Sequence, residues 1–177
     1  MSFKKAGQGD NGITRLYTGR KISKGSDKID LLGTLDEVNA WLGLLNREIS
    51  KDLTKFIQQT QKRVIDICSH IASYTDKGSK YGFEEKYVVE LEDMIAKLDS
   101  TLPKLTQFIV PDEKNANFHI ARSIVRQAER KLVVLQNTST ESYSPFVLKY
   151  LNRLSDFLFV LSRYVTEKEI TYKQSEY

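Results

Sequence analysis

One cysteine, three prolines, nine glycines and one tryptophan are all that this 177-residue chain holds of the residues that staple, break or anchor a fold. A single cysteine cannot close an intrachain disulfide or build a thiolate zinc site. So few glycines and prolines argue against a turn-rich β-sandwich. No apolar run approaches the roughly 20 residues that a membrane span requires, and Phe157-Leu158-Phe159-Val160-Leu161 is a local maximum only. The opening Met1-Ser2-Phe3-Lys4-Lys5-Ala6 lacks the apolar centre of a signal peptide. Dense blocks of one charge are missing as well. The 27 basic and 23 acidic side chains are spread along the chain, with a net charge of +4. That distribution speaks against a nucleic-acid-binding tail, and the aromatics do not interleave with basic residues as an RNA platform requires. The expectation is one cytoplasmic domain over residues 1–177, with neither nucleic acid nor membrane as a partner.

What is present is helical periodicity. Leu35, Val38, Leu42, Leu45 and Ile49 alternate steps of three and four, which puts them on one stripe. Thr34-Leu35-Asp36-Glu37 has the form of a capping box, while Ile29 and Leu32 suggest an earlier start. Further stripes run Leu53–Ile71, Val88–Leu98, Ala121–Leu135 and Leu148–Val165, the last opened by Ser144-Pro145 as N-cap and first helical residue. Between Leu105 and Pro111, Phe108-Ile109-Val110 reads as a buried extended connector. No strand is convincing, and the tail over 171–177 is expected to fray. The fold class is therefore all-α, a five-helix bundle.

Few residues stand out chemically. Gly7-Gln8-Gly9-Asp10-Asn11-Gly12 matches GxGxxG, but no apolar strand precedes it, so a dinucleotide fold is rejected. The segment leaves open a backbone cradle for an anion, or a loose N-terminus. Arg122, Arg126 and Arg130 recur every four residues and form one drifting column. Three readings of that column stand: a solvated helix edge, pairs with carboxylates across a subunit contact, or a clamp for a phosphate chain. Glu129 can relieve part of the repulsion, and Asp36 is an anion that could answer an arginine. Asn152, Ser155 and Asp156 share a face within a Leu-rich stretch. His70 and His119 form no metal-spacing pair, and Cys68 reads as a small core residue.

The chain as a whole resembles the PduO-type ATP:cob(I)alamin adenosyltransferases, from about Gly9 to about Tyr164. Gly9-Asp10-Asn11-Gly12-Ile13-Thr14, Lys24 with Gly33-Thr34-Leu35-Asp36-Glu37-Val38-Asn39, and Phe108-Ile109-Val110-Pro111 carry the likeness. His119-Ile120-Ala121-Arg122, Arg126-Gln127-Ala128-Glu129-Arg130 and Leu151-Asn152-Arg153-Leu154-Ser155-Asp156 complete it in order. The resemblance implies a ferritin-like up-down bundle that forms a homotrimer, with ATP between subunits. It implies transfer of the 5′-deoxyadenosyl group of ATP to cob(I)alamin, with Mg²⁺ and release of triphosphate. Residues 1–26 would be the nucleotide segment. Gly7, Gly9, Asp10, Gly12, Thr14, Lys24, Arg126, Glu129, Arg130 and Asn152 would bind ATP. Arg126 would serve catalysis, with Asp36 and Arg122 as a pair bridging subunits beside the active site. Phe108 would meet cobalamin and keep its lower base off cobalt. No metal ligand is assigned to a protein side chain. A reductase and an adenosylcobalamin-dependent enzyme are the implied further partners.

Three departures from the family pattern are visible. Ala6-Gly7-Gln8 stands where Thr-Arg-Thr is usual, Asp112-Glu113 follows Pro111 where Gly-Gly is usual, and Gln127 replaces a second arginine. They motivate an alternative, a catalytically weak ATP- or cobalamin-binding carrier of the same fold.

Overall fold

The computed structural model describes residues 9–166 and 170–172. Five helices dominate it: α1 (Asp27–Leu45), α2 (Lys51–Ala72), α3 (Lys86–Asp99), α4 (Ala116–Thr138) and α5 (Pro145–Tyr164). Helix α5 is central and takes α4 and α3 on its flanks, while α1 packs on α4 and on α2. The apolar stripes meet in one continuous core that includes Leu35, Leu42, Ile57, Ile67, Phe118, Leu132, Leu154 and Phe157, all but inaccessible to solvent. Burying a side chain of this kind contributes about 1.5–3 kcal/mol, which is why stripe spacing governs the architecture.

Local chemistry sets the helix starts. The Ser50 hydroxyl accepts from the Leu53 N–H, and the Ser144 hydroxyl accepts from the Phe146 N–H at 3.3 Å with Pro145 following. Thr34 is not a cap. Helix α1 begins seven residues earlier, at Asp27, and the Thr34 hydroxyl donates back to the Asp30 carbonyl at 3.0 Å.

Strands exist where the sequence showed none. Among the described residues six short strands pair antiparallel in three couples: β1 (Ile13–Arg15) with β2 (Lys21–Ser23), β3 (Tyr74–Thr75) with β4 (Gly78–Ser79), and β5 (Phe108–Val110) with β6 (Ile170–Tyr172). Elements of two or three residues carry no readable alternation. The connector at Phe108 is extended, as its composition implied, but it is not buried. Phe108 is 84% exposed, because β5 pairs with the C-terminal strand and does not enter the bundle. Thr171 and Tyr172, placed by the sequence in a fraying tail, belong to that strand, and residues 173–177 lie outside the described residues.

Candidate functional site

The β1–β2 hairpin feeds directly into α1, and the corner between them gathers one group of residues. Gly9 and Gly12 both adopt left-handed backbone, with φ of 110° and 76°. The turn closes by a Gly12 N–H to Gly9 carbonyl bond of 3.2 Å, and the Lys24 N–H then donates to the Gly12 carbonyl at 2.8 Å. A Cβ on Gly9 would stand 3.2 Å from the Ile13 carbonyl and 3.3 Å from Lys24 Cε and Nζ. The lysine side chain thus lies along the Gly9 backbone, and glycine is required there by both conformation and space. Asp10 is exposed beside the turn, and Thr14 is half-buried opposite Ile22. Gly7 lies outside the described residues.

A second group stands on α4 and α5. Arg122 is half-buried and its guanidinium sits over the Phe159 ring, 5.6 Å from the centroid. Burial and the neighbouring Arg126 charge pull Arg122 below the ordinary guanidinium range, against the opposing charge of Asp156, although it stays protonated at neutral pH. Arg126 and Arg130 are exposed one turn further on, and among the described residues neither has an ion pair or side-chain hydrogen bond. Glu129 makes no ion pair with either among the described residues. It accepts from Asn152 Nδ2 on α5 at 3.1 Å.

The face expected from Asn152, Ser155 and Asp156 divides. Asn152 turns toward α4, the buried Ser155 donates to the Asn152 carbonyl, and the exposed Asp156 lies 3.6 Å from Arg153. The rings of His119 and Phe159 meet in a T-shaped contact with centroids 6.2 Å apart, and the buried His119 Nε2 has no hydrogen-bond partner among the described residues. Burial, then the charge of Arg122, lowers its pKa and favours the neutral ring.

Asp36 belongs to another face. It lines a groove of about 630 Å³ between α1 and α2, together with Asn39, Ile65, Cys68, Tyr17 and Tyr81. Burial and then the Asp36 charge push the Cys68 thiol up to about 12. Among the described residues no ion pair joins Asp36 to Arg122 within the chain.

Tyr17, Arg20, Lys28 and Glu141 stand out in the structure although no sequence motif marks them. Arg20 NH2 reaches Glu141 Oε1 at 3.3 Å, and Glu141 also accepts from the Lys28 ammonium and the Tyr143 hydroxyl. Burial alone would raise the Glu141 pKa, but bonds from Lys28 and Tyr143 outweigh it and hold the carboxyl below its ordinary value. No spacing rule links residues 113 positions apart, as Lys28 and Glu141 are. A lysine in an otherwise helix-forming segment gave no signal that it would be buried to 3% exposure.

The chain is similar to known proteins over nearly its whole length. The family described as cobalamin adenosyltransferase matches residues 5–165. A corrinoid adenosyltransferase of Bacillus subtilis is 36% identical over 178 residues, covering 94% of this chain and 90% of the relative. The corrinoid adenosyltransferase MMAB of Bos taurus is 34% identical over 171 residues, covering 91% and 70%. Among solved structures, a variant PduO-type ATP:corrinoid adenosyltransferase from Lactobacillus reuteri, complexed with cobalamin and ATP, superposes with a TM-score of 0.88. It is 27% identical and covers 96% of this chain and 99% of its own. The chain belongs to the cobalamin adenosyltransferase family, in its PduO-type branch of corrinoid adenosyltransferases.

Proposed function

We propose that the protein transfers the 5′-deoxyadenosyl group of ATP to cob(I)alamin by bringing the glycine–lysine corner and the α4 arginines to one triphosphate. The observation that carries this reading is the exposed couple Arg126 and Arg130, unpaired among the described residues, beside a Glu129 already engaged by Asn152. Like charges one turn apart on a helix repel by a few tenths of a kcal/mol, so the arrangement suits an anion laid along it. Two planar guanidinium forks match consecutive phosphate groups.

Cob(I)alamin, as substrate, is itself the nucleophile. Its cobalt electron pair forms a bond to C5′, the C5′–O bond breaks, and that bonding pair leaves with triphosphate. The cobalt becomes formally trivalent and alkylated. No protein nucleophile is needed. The protein has two tasks: to hold the reactants in line, and to meet the charge that grows on the leaving oxygen. Arg126, Arg130 and Lys24 serve the second task, while the Gly9–Gly12 turn, with Gly7, Asp10 and Thr14, serves the first by lining the nucleotide. Glu129 and Asn152 fix the far wall of the same site.

Phe108 has no structural reason to be an aromatic at 84% exposure. Placed against the lower face of a corrin, it excludes an axial base and so favours electron gain by cobalt. Mg²⁺ would enter as an ion carried on the phosphates of ATP. When bound, it neutralises charge along the triphosphate.

Asp36 and Arg122, which make no ion pair with each other within the chain among the described residues, would pair between subunits in a homotrimer of ferritin-like up-down bundles with ATP at each interface. A reductase supplying the electron and an adenosylcobalamin-dependent enzyme receiving the product follow from the chemistry. The test is incubation with ATP, Mg²⁺ and chemically reduced cobalamin. One triphosphate per adenosylated corrinoid is expected. ATP binding without triphosphate release would favour the carrier reading instead.

A further inference from the structure

Among the described residues the hairpin that bears the glycine turn has few ties to the bundle. Its one buried apolar side chain, Leu16, stands outside the main core. Two polar ties do the fastening. At the hairpin turn, the Tyr17 hydroxyl accepts from Lys80 Nζ and from the Tyr81 hydroxyl, each at 3.0 Å. The other tie is the one from Arg20 to Glu141.

The second tie has a particular geometry. Arg20 lies four residues before Lys24 and Lys28 four residues after it. Both converge on the same carboxylate, Arg20 on Oε1 and Lys28 on Oε2. Glu141 is itself fixed: its side chain is only 13% exposed, the Tyr143 hydroxyl donates to it, and its backbone N–H donates to Ser139 Oγ at 2.9 Å. The carboxylate comes from the connector between α4 and α5, which bear Arg126 and Asn152. It therefore ties the strand-to-helix corner to one point on both sides of Lys24 in the sequence. A buried ammonium that neutralised this carboxylate would by itself satisfy the charge. The added arginine, with a side chain 55% exposed, contributes little stability and much geometry.

We propose that Glu141 is a positioning residue for Lys24, holding the corner through Arg20 and Lys28 so that the lysine meets the triphosphate. The inference rests on the ATP reading given above. Arg20→Ala is the informative variant, because it removes one arm of that tie and leaves the buried Lys28–Glu141–Tyr143 set intact.

The experiment is a double-mutant cycle on ATP affinity, measured by calorimetry in the wild type, Arg20→Ala, Lys24→Ala and the double variant. Arg20→Ala should weaken ATP binding about tenfold when Lys24 is present, a factor that corresponds to ~1.4 kcal/mol. In the Lys24→Ala background the same change should alter affinity less than about twofold. Glu141→Gln, where it folds, should match Arg20→Ala, and Arg20→Lys should restore part of the loss. Equal effects of Arg20→Ala in both backgrounds, or none in either, would overturn the positioning role. A wild type that binds no ATP would overturn the reading beneath it, and is distinguishable because the cycle then has no starting value.

Discussion

Asn152 and Glu129 are joined by a 3.1 Å bond from α5 to α4, and its direction is fixed. Arg153 NH1, which can only donate, takes Asn152 Oδ1 at 2.9 Å, so Nδ2 must face the carboxylate. The consequence is electrostatic. Glu129 is held toward α5 by an amide and makes no ion pair with Arg126 or Arg130 among the described residues.

Removing that hold should weaken the site without weakening the fold. In Asn152→Ala, Glu129 is released toward the arginines and competes with phosphate. The ATP KM should rise roughly tenfold, on the scale of one charge-assisted hydrogen bond. Steady-state kinetics with varied ATP check this; an unchanged KM would place Asn152 outside the site.

Arg126→Ala should lower kcat by ~10²-fold or more, the size of a lost donor to a developing oxyanion. Arg126→Lys should recover only part of this, since an ammonium restores charge but not the bidentate fork. Single-turnover rates at saturating ATP make the comparison.

Phe108→Ala should separate function from stability. The side chain is 84% exposed, so the unfolding free energy should change by less than about 0.5 kcal/mol. Turnover should nonetheless fall, and the spectrum of bound cob(II)alamin should show the lower base returning to cobalt. A melting curve and an absorption spectrum of the same sample check both halves.

Acid should loosen the N-terminal corner. The carboxyl of Glu141 is held below its ordinary value, so its contribution is present at neutral pH. It is lost as pH falls from about 4.5 through the depressed value. Glu141→Ala, which leaves Lys28 buried without its anion, should cost about 3–5 kcal/mol at pH 7. Melting temperatures from pH 7 down to pH 3 should converge for wild type and variant.

Much of the bundle was legible because each helix buries a stripe, and stripes are periodic. Leu35, Val38 and Leu42 announce α1 whatever surrounds them, although Thr34 suggested a start inside the helix by local resemblance to a cap. The arginine column was legible for the same reason, since a spacing of four is a property of one helix. Phe108 was misplaced because three apolar residues in a row look buried, and only the pairing of β5 with a strand some sixty residues later turns the phenylalanine outward. Glu141, Lys28 and Arg20 were not legible at all. Their meeting depends on where α1, the hairpin and the α4–α5 connector arrive in space, and none of the three has a local pattern that foretells it.

The most direct measurement follows the bond itself. Wild-type protein, Mg²⁺, reduced cobalamin and ATP labelled with ¹³C at the 5′ carbon should yield a corrinoid whose label is bonded to cobalt, together with intact triphosphate in equal amount. Label remaining on free nucleotide, or release of diphosphate or single phosphate in place of triphosphate, would contradict the transfer.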